Sequence, residues 1–274
     1  MAAAPRTPAP LPDRVPTTRR TCLLRLVALA AGAGVAAAAE ASGPAGLPDL
    51  IAGAKPSVLP IGGFDALASP RFAFRGTAFV VGDGRLAVTN AHVVADDKIK
   101  QWALQLPPAG AGPSWRMAQV LARDAAHDLA LLRLDGAPLP ALRLGAAEGV
   151  REGQAVALMG FPIGGVLGFR TVTHRGIVSS IAAIVLPAAH ASQLGARALA
   201  QIRAGGFDIY QLDATAYPGN SGGPVLRADT GEVVAVVNMV LTKGSRESAL
   251  SHPSGISYAI PVRWVHELLA PHWR

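Results

Sequence analysis

The chain has 274 residues and a single cysteine, Cys22, so no disulfide can form within it. An oxidising compartment would be tolerated but not exploited. Charge is scarce, at 16% of residues against 50% hydrophobic, which leaves material for a sizeable core in one or two domains. A basic run is missing too. Lys and Arg outnumber Asp and Glu by 25 to 18, but five basic and two acidic residues fall in the first 41 positions. The remaining 20 against 16 are scattered, and no nucleic-acid surface is expected. No cluster of side chains has metal-ligand spacing, so no metal site is expected. The apolar run Leu26–Ala39 is short of the roughly 20 residues that a membrane span needs.

What is present at the N-terminus is directional. Residues 1–16 are rich in Pro and Ala and read as disordered. Thr18-Arg-Arg-Thr-Cys-Leu-Leu24 then precedes the uncharged run. A basic segment, an apolar segment and a small-residue end make the pattern of an export signal. The paired arginines resemble a twin-arginine signal, although Arg25 interrupts the apolar start and Sec export is the alternative. Ala39-Glu-Ala41 has the small-x-small form of a cleavage site; a retained anchor is the other reading. The expected product is periplasmic or secreted, with residues 1–41 removed and 42–274 forming the working domain.

From Leu47 the chain reads as β, with short apolar runs punctuated by Gly, Pro and Asp. The first series is Ser57–Ile61, Phe72–Val81, Arg85–Thr89, Trp102–Leu106, Arg116–Leu121, Ala130–Leu134, and short pieces at Pro138–Leu139 and Leu142–Leu144. Gly82-Asp-Gly84 reads as a hairpin turn. The second series is Ala155–Gly160, Thr171–Ser180, Ile209–Leu212, Pro224–Leu226, Val233–Asn238 and Ile256–Ala259. Pro261–Leu269 reads as a closing helix with an apolar face of Val262, Val265, Leu268 and Leu269. Ala188–Arg203 is rich in helix formers, and a helical insertion near 185–206 is expected, either a surface helix or a gating element. A dozen strands suggest an all-β fold of two small barrels, approximately 50–147 and 148–260, with a helix at 261–270. Periodicity alone does not separate barrels from sandwiches.

Chemistry concentrates in Asp213-Ala-Thr-Ala-Tyr-Pro-Gly-Asn-Ser-Gly-Gly-Pro-Val225. The glycines around Ser221 let a backbone turn sharply and aim several N–H groups at one point. An exposed nucleophilic hydroxyl needs such donors for the oxyanion it creates. The same hexapeptide also suits a plain turn between strands. A serine hydroxyl needs a base of near-neutral pKa and a buried carboxylate to orient that base. His92, in Ala87-Val-Thr-Asn-Ala-His-Val-Val94, and Asp128, in Ala126-His-Asp-Leu-Ala-Leu-Leu132, supply the types in the order His, Asp, Ser. Singly, each has a packing or capping explanation; together they point to nucleophilic catalysis. His127, His174, His190, His252, His266 and His272 read as surface or loop residues.

These segments resemble a trypsin-like serine protease of the HtrA/Deg type, in the chymotrypsin-fold superfamily. The resemblance continues through Gly76-Thr-Ala-Phe-Val-Val81, Leu158-Met-Gly-Phe-Pro-Ile-Gly164, Thr171–Ser179, Leu212-Asp-Ala214 and Gly255-Ile-Ser-Tyr-Ala-Ile-Pro261, covering about Pro56 to Leu269. It implies two six-stranded barrels with the active site between them, and neither a metal nor an organic cofactor. It implies His92 as general base, Asp128 as its orienter, Ser221 as nucleophile, and an oxyanion hole from Gly219, Asn220 and Ser221. Thr215, Ala216 and Tyr217 on one wall, with Asn238, Met239 and Val240 on the other, would form the primary substrate pocket. That pocket holds no acid, so small or medium apolar side chains are expected over Lys or Arg.

Three departures stand out. Only five residues follow Leu269, so no PDZ domain is expected. Thr171–Gly176 carries one residue more than the family's form, suggesting a bulge there. The 185–206 insertion falls where the family has a loop that orders the oxyanion turn. The partners implied are polypeptide substrates, with no nucleic acid, no membrane after signal cleavage, and a possible homotrimer. The function implied is an exported endopeptidase, in protein quality control by resemblance. A latent, peptide-binding protease fold with a collapsed oxyanion turn is the alternative, and ester hydrolysis a third.

Overall fold

The computed structural model of the chain describes residues 46–107, 112–164, 168–184, 207–238 and 255–272. The expected helical insertion near 185–206 lies outside them.

Twelve strands close into two six-stranded antiparallel barrels. Barrel 1 comprises β1 (Val58–Phe64), β2 (Phe72–Val81), β3 (Leu86–Thr89), β4 (Trp102–Leu106), β5 (Ser114–Asp124) and β6 (Leu129–Leu134). Barrel 2 comprises β7 (Ala155–Gly160), β8 (Val172–Ile184), β9 (Phe207–Asp213), β10 (Pro224–Arg227), β11 (Val233–Asn238) and β12 (Ile256–Pro261). Each closes in one order, β1-β2-β3-β6-β5-β4 and β7-β8-β9-β12-β11-β10.

The apolar runs 78–81 of β2, 129–132 of β6 and 233–237 of β11 are continuous because these stretches are buried on both faces. Successive side chains point to opposite faces. Ala130 and Leu132 of β6 therefore fill barrel 1, while Leu129 and Leu131 face the core between the barrels. Ala78 and Val80 of β2 likewise alternate with Phe79 and Val81. Barrel 2 answers with Met159, Phe161, Leu226, Val236 and Ile260 in that shared core.

The connection between barrels is pinned to both. Leu142 N–H donates to Val80 C=O (2.9 Å), and Gly145 N–H donates to Val233 C=O (2.8 Å). The short pieces read at 138–144 are thus not strands of a sheet: Leu142 and Leu144 form single parallel bridges to Val81 and Val233. Two further readings are corrected. The β expected from Leu47 begins instead with helix α1 (Leu47–Ala54), which has Pro48 and Asp49 in its first turn. Its Ile51 packs on the shared core. The bulge expected in Thr171–Gly176 is absent, since Val172–Ile177 pairs without interruption with Ala155–Gly160. The register shift falls at Val178/Ser180, against β9.

Helix α2 (Val262–Leu269) follows β12. Val262, Val265 and Leu269 are buried in the shared core, with Leu268 and Trp264 packed against it. The helix begins at barrel 2 yet leans on β6 of barrel 1. His266 Nε2–H donates to Gly145 C=O of the connection (2.8 Å).

Candidate active site

β3 ends at Thr89 and runs into a 3-10 turn, Ala91–Val94. Val93 and Val94 bury into barrel 1, leaving the His92 side chain about one-third exposed, at 34%. Asp128 stands immediately before β6, in the left-handed region at φ 51°. A non-glycine residue is uncommon there, although Asp tolerates it better than most. The surroundings hold it: Ala91 N–H and Asn90 Nδ2 both donate to the Asp128 carbonyl at 3.0 Å.

The Asp128 carboxylate is shared among three donors. His92 N–H reaches Oδ1 at 2.8 Å, His92 Nδ1–H reaches Oδ2 at 2.6 Å, and Asn238 Nδ2 reaches Oδ2 at 2.9 Å. With Nδ1 donating, Nε2 of a neutral imidazole is the acceptor. Asn238, expected on the pocket wall, is fully buried at the end of β11, and its side chain donates to Asp128. Alternation along a strand buried on both faces cannot choose between those directions. The Met239 and Val240 expectations lie outside the described residues.

Ser221 sits on a double turn. Asn220 N–H donates to Tyr217 C=O, and Gly223 N–H to Asn220 C=O, each at 2.9 Å. This turn fits between Thr77 and Thr89 of barrel 1 and the Phe161 carbonyl after β7 because two of its residues lack side chains. A Cβ on Gly222 (φ 83°) would stand 2.2 Å from Thr77 O and Thr89 Oγ1. One on Gly219 (φ 105°) would stand 2.2 Å from Phe161 O. Gly222 thereby brings the Ser221 turn against Thr89 and Asn90, just before His92.

Thr77 ties the pieces together. Its N–H donates to Ser221 C=O (2.9 Å), its hydroxyl donates to Gly219 C=O (2.7 Å), and its Oγ1 accepts Phe161 N–H (3.2 Å). Ile163 N–H holds the Pro218 carbonyl at 2.8 Å. With these carbonyls engaged, the N–H groups of Gly219 and Ser221 have no acceptor among the described residues. They are two unused donors on either side of Asn220, whose own side chain is fully buried. Ser221 Oγ makes no hydrogen bond among the described residues, to His92 or otherwise. Such contacts are often long without substrate and tighten in the complex.

Thr77 carries no reactive group, and sequence reasoning passed over it. Replacing Thr77 by Val keeps its shape and removes both hydroxyl bonds. Leaving the Gly219 carbonyl and Phe161 N–H unpaired should lower stability by about 1–3 kcal/mol. Turnover should fall further than that loss explains, because the Ser221 turn loses its register. Denaturant unfolding and kcat on the same preparation check both.

On the barrel 2 side, Ser257 Oγ donates to Ala214 C=O (2.6 Å) and accepts Ala216 N–H (2.9 Å), shaping the segment that holds Thr215, Ala216 and Tyr217. His174 lies behind Tyr217, ring centroids 5.9 Å apart. It is half-buried rather than the surface residue expected, and burial lowers its pKa below the ordinary 6.5. The unfolded chain then takes a proton more readily than the folded one. The stabilisation is complete above pH 6.5 and is lost as pH falls through the lower folded value. A smaller drop in Tm between pH 7 and 5 in His174→Gln than in wild type is the expected result. His266 is exposed, as expected, and His127 lies in the turn before β6, partly buried.

Comparisons with known proteins agree with this geometry. The family model described as trypsin-like peptidase domain matches residues 76–236. The chain is 36% identical over 195 residues to the mitochondrial serine protease HTRA2 of Bos taurus, covering 71% of this chain and 35% of that protein. It is 31% identical over 187 residues to a probable periplasmic serine endoprotease, DegP-like, of Pseudomonas fluorescens, covering 68% and 32%. The chain thus spans about a third of the length of these curated relatives. Among solved structures, the HtrA-type protease AlgW with a tripeptide aligns at 25% identity and a TM-score of 0.58, covering 82% of this chain and 63% of that one. The matched model runs through both barrels and through the segments bearing His92, Asp128 and Ser221, and the chain belongs to the trypsin-like peptidase family.

Proposed function

We propose that the chain is an exported serine endopeptidase that cleaves polypeptides through an acyl-enzyme. The observation that carries this is the hydrogen-bonded His92–Asp128 pair set beside a serine turn with two N–H groups that meet no acceptor among the described residues. Asp128 keeps the proton of His92 on Nδ1, so Nε2 takes the Ser221 hydroxyl proton as Oγ attacks the peptide carbonyl. The new C–O bond leaves a negative oxygen, which Gly219 N–H and Ser221 N–H stabilise. Collapse breaks the C–N bond, and Nε2 hands its proton to the departing amine. Water then repeats the sequence and releases the acid.

The wall of Thr215, Ala216 and Tyr217 has no carboxylate, which favours small or medium apolar side chains before the cut bond. A peptide library cut after Lys or Arg would overturn that preference. The basic and apolar segments of residues 18–39, together with a relative described as periplasmic, support export, and a role in protein quality control rests on the family resemblance alone. Assembly as a homotrimer belongs to the same reading, to be measured by light scattering.

The open Ser221–His92 contact favours one second reading, a latent form that closes only on a suitable polypeptide. A fluorophosphonate probe separates the two, with Ser221→Ala as control. Labelling with casein cleavage supports the endopeptidase. Labelling without cleavage supports latency or a narrow substrate, and no labelling under any condition sinks the enzymatic account.

A further inference from the structure

A second His–Asp pair lies one residue before the first. β5 ends at Asp124 and β6 begins at Leu129, so four residues carry the chain across, the last of them Asp128. Within that turn His127 Nδ1–H donates to Asp124 Oδ2 (2.6 Å) and His127 N–H to Asp124 Oδ1 (3.2 Å). The His127 ring lies flat on Trp264 of α2, with centroids 3.6 Å and planes 15° apart. Phe207 meets it edge-on at 4.7 Å, and the Arg263 guanidinium lies 4.4 Å from the Trp264 ring. Burial would raise the Asp124 pKa, but the hydrogen bond and charge of His127 outweigh it and hold the carboxyl below its ordinary range.

The placement gives this pair a task. The carbonyl side of Asp128 is tied to Asn90 and Ala91. Its other side follows directly from His127, and the chain enters the left-handed conformation at that junction. A rotation of the peptide between them would swing the carboxylate away from His92. Displacements of about 1 Å at a catalytic group cost around a hundredfold in rate. We propose that His127 is a positioning residue: clamped between Asp124 and Trp264, it sets the pose of Asp128 and makes the C-terminal helix part of the catalytic apparatus. The assignment rests on the peptidase reading of His92, Asp128 and Ser221.

The test uses the full chain with His127→Ala, Trp264→Ala and His127→Phe. The last keeps an aromatic ring on Trp264 and loses the Asp124 bond. Two readings are taken, kcat against KM on a peptide substrate and the far-downfield proton of the His92 Nδ1–H···Asp128 bond by NMR. In the two alanine variants kcat should fall about 10–100-fold with KM within about twofold, and the downfield proton should shift or broaden. His127→Phe should fall between them and wild type. The double alanine variant should be little worse than either single one, because both remove the same clamp.

Folded alanine variants that keep wild-type kcat and an unchanged downfield proton would overturn the proposal. If His127→Ala does not fold, the same two readings on His127→Phe decide, an unchanged pair again counting against it. The NMR signal needs no turnover. A wild-type chain that shows the signal, loses it on His127→Ala and yet never reacts with the fluorophosphonate would refute the peptidase reading and leave the positioning role standing.

Discussion

Ser221→Ala should reduce kcat by about six orders of magnitude, as removal of a nucleophilic serine does in enzymes whose triad works as a unit. It should leave the fold intact. The Ser221 turn is held by main-chain groups: Ser221 C=O accepts Thr77 N–H, and the neighbouring turns close through Asn220 and Gly223. Ser221 Oγ holds none of this together. Unfolding stability should therefore stay within about 1 kcal/mol of wild type, the range of a change that breaks no structural contact. Substrate binding should survive, because Gly219 N–H and the Thr215–Tyr217 wall are untouched. Measured kcat, Tm and peptide affinity on one preparation check all three. Appreciable turnover in the variant would place the nucleophile elsewhere.

Asp128→Asn should lower kcat by about 10⁴-fold with little change in KM. The three donors around the carboxylate explain why. An amide offers one oxygen and one NH₂ where the carboxylate offers two acceptors. If the oxygen meets His92 N–H, the NH₂ faces Asn238 Nδ2, another donor, and forces the His92 proton from Nδ1 to Nε2. Nε2 can then no longer take the serine proton. If the amide flips, its NH₂ confronts His92 N–H and loses that bond. Asn238→Ala offers a graded comparison, since it removes one donor and leaves the carboxylate charged. A large KM effect in Asp128→Asn would mean that Asp128 shapes the pocket rather than orienting the base.

Much of the architecture was legible along the chain. Phe72–Val81, Trp102–Leu106, Ala155–Gly160 and Val233–Asn238 are strands with the bounds that their apolar runs and flanking turns mark. Leu47–Ala54 is a helix where β is expected, because a short apolar segment suits helix and strand alike; only Pro48 and Asp49 mark a helix start. Candidates for the chemistry could be named because reactive serine, histidine and aspartate sit in distinctive local frames. Their supports could not. Thr77 looks like any strand threonine, and Asn238 looks like the end of an apolar run. His127 looks like a loop histidine until Trp264 lies over it.

The sequence by itself determined the β class, the dozen strand runs, the closing helix and the order His92, Asp128, Ser221, since alternation and turn chemistry act over a few neighbouring residues. The tertiary structure alone decided that the strands close into two barrels, that Thr77 reaches Gly219 across 142 positions, and that Asn238 reaches Asp128 across 110. A hydrogen bond depends on distances of a few tenths of an ångström. No pattern along the chain specifies that for partners so far apart; the packing of one barrel on the other does.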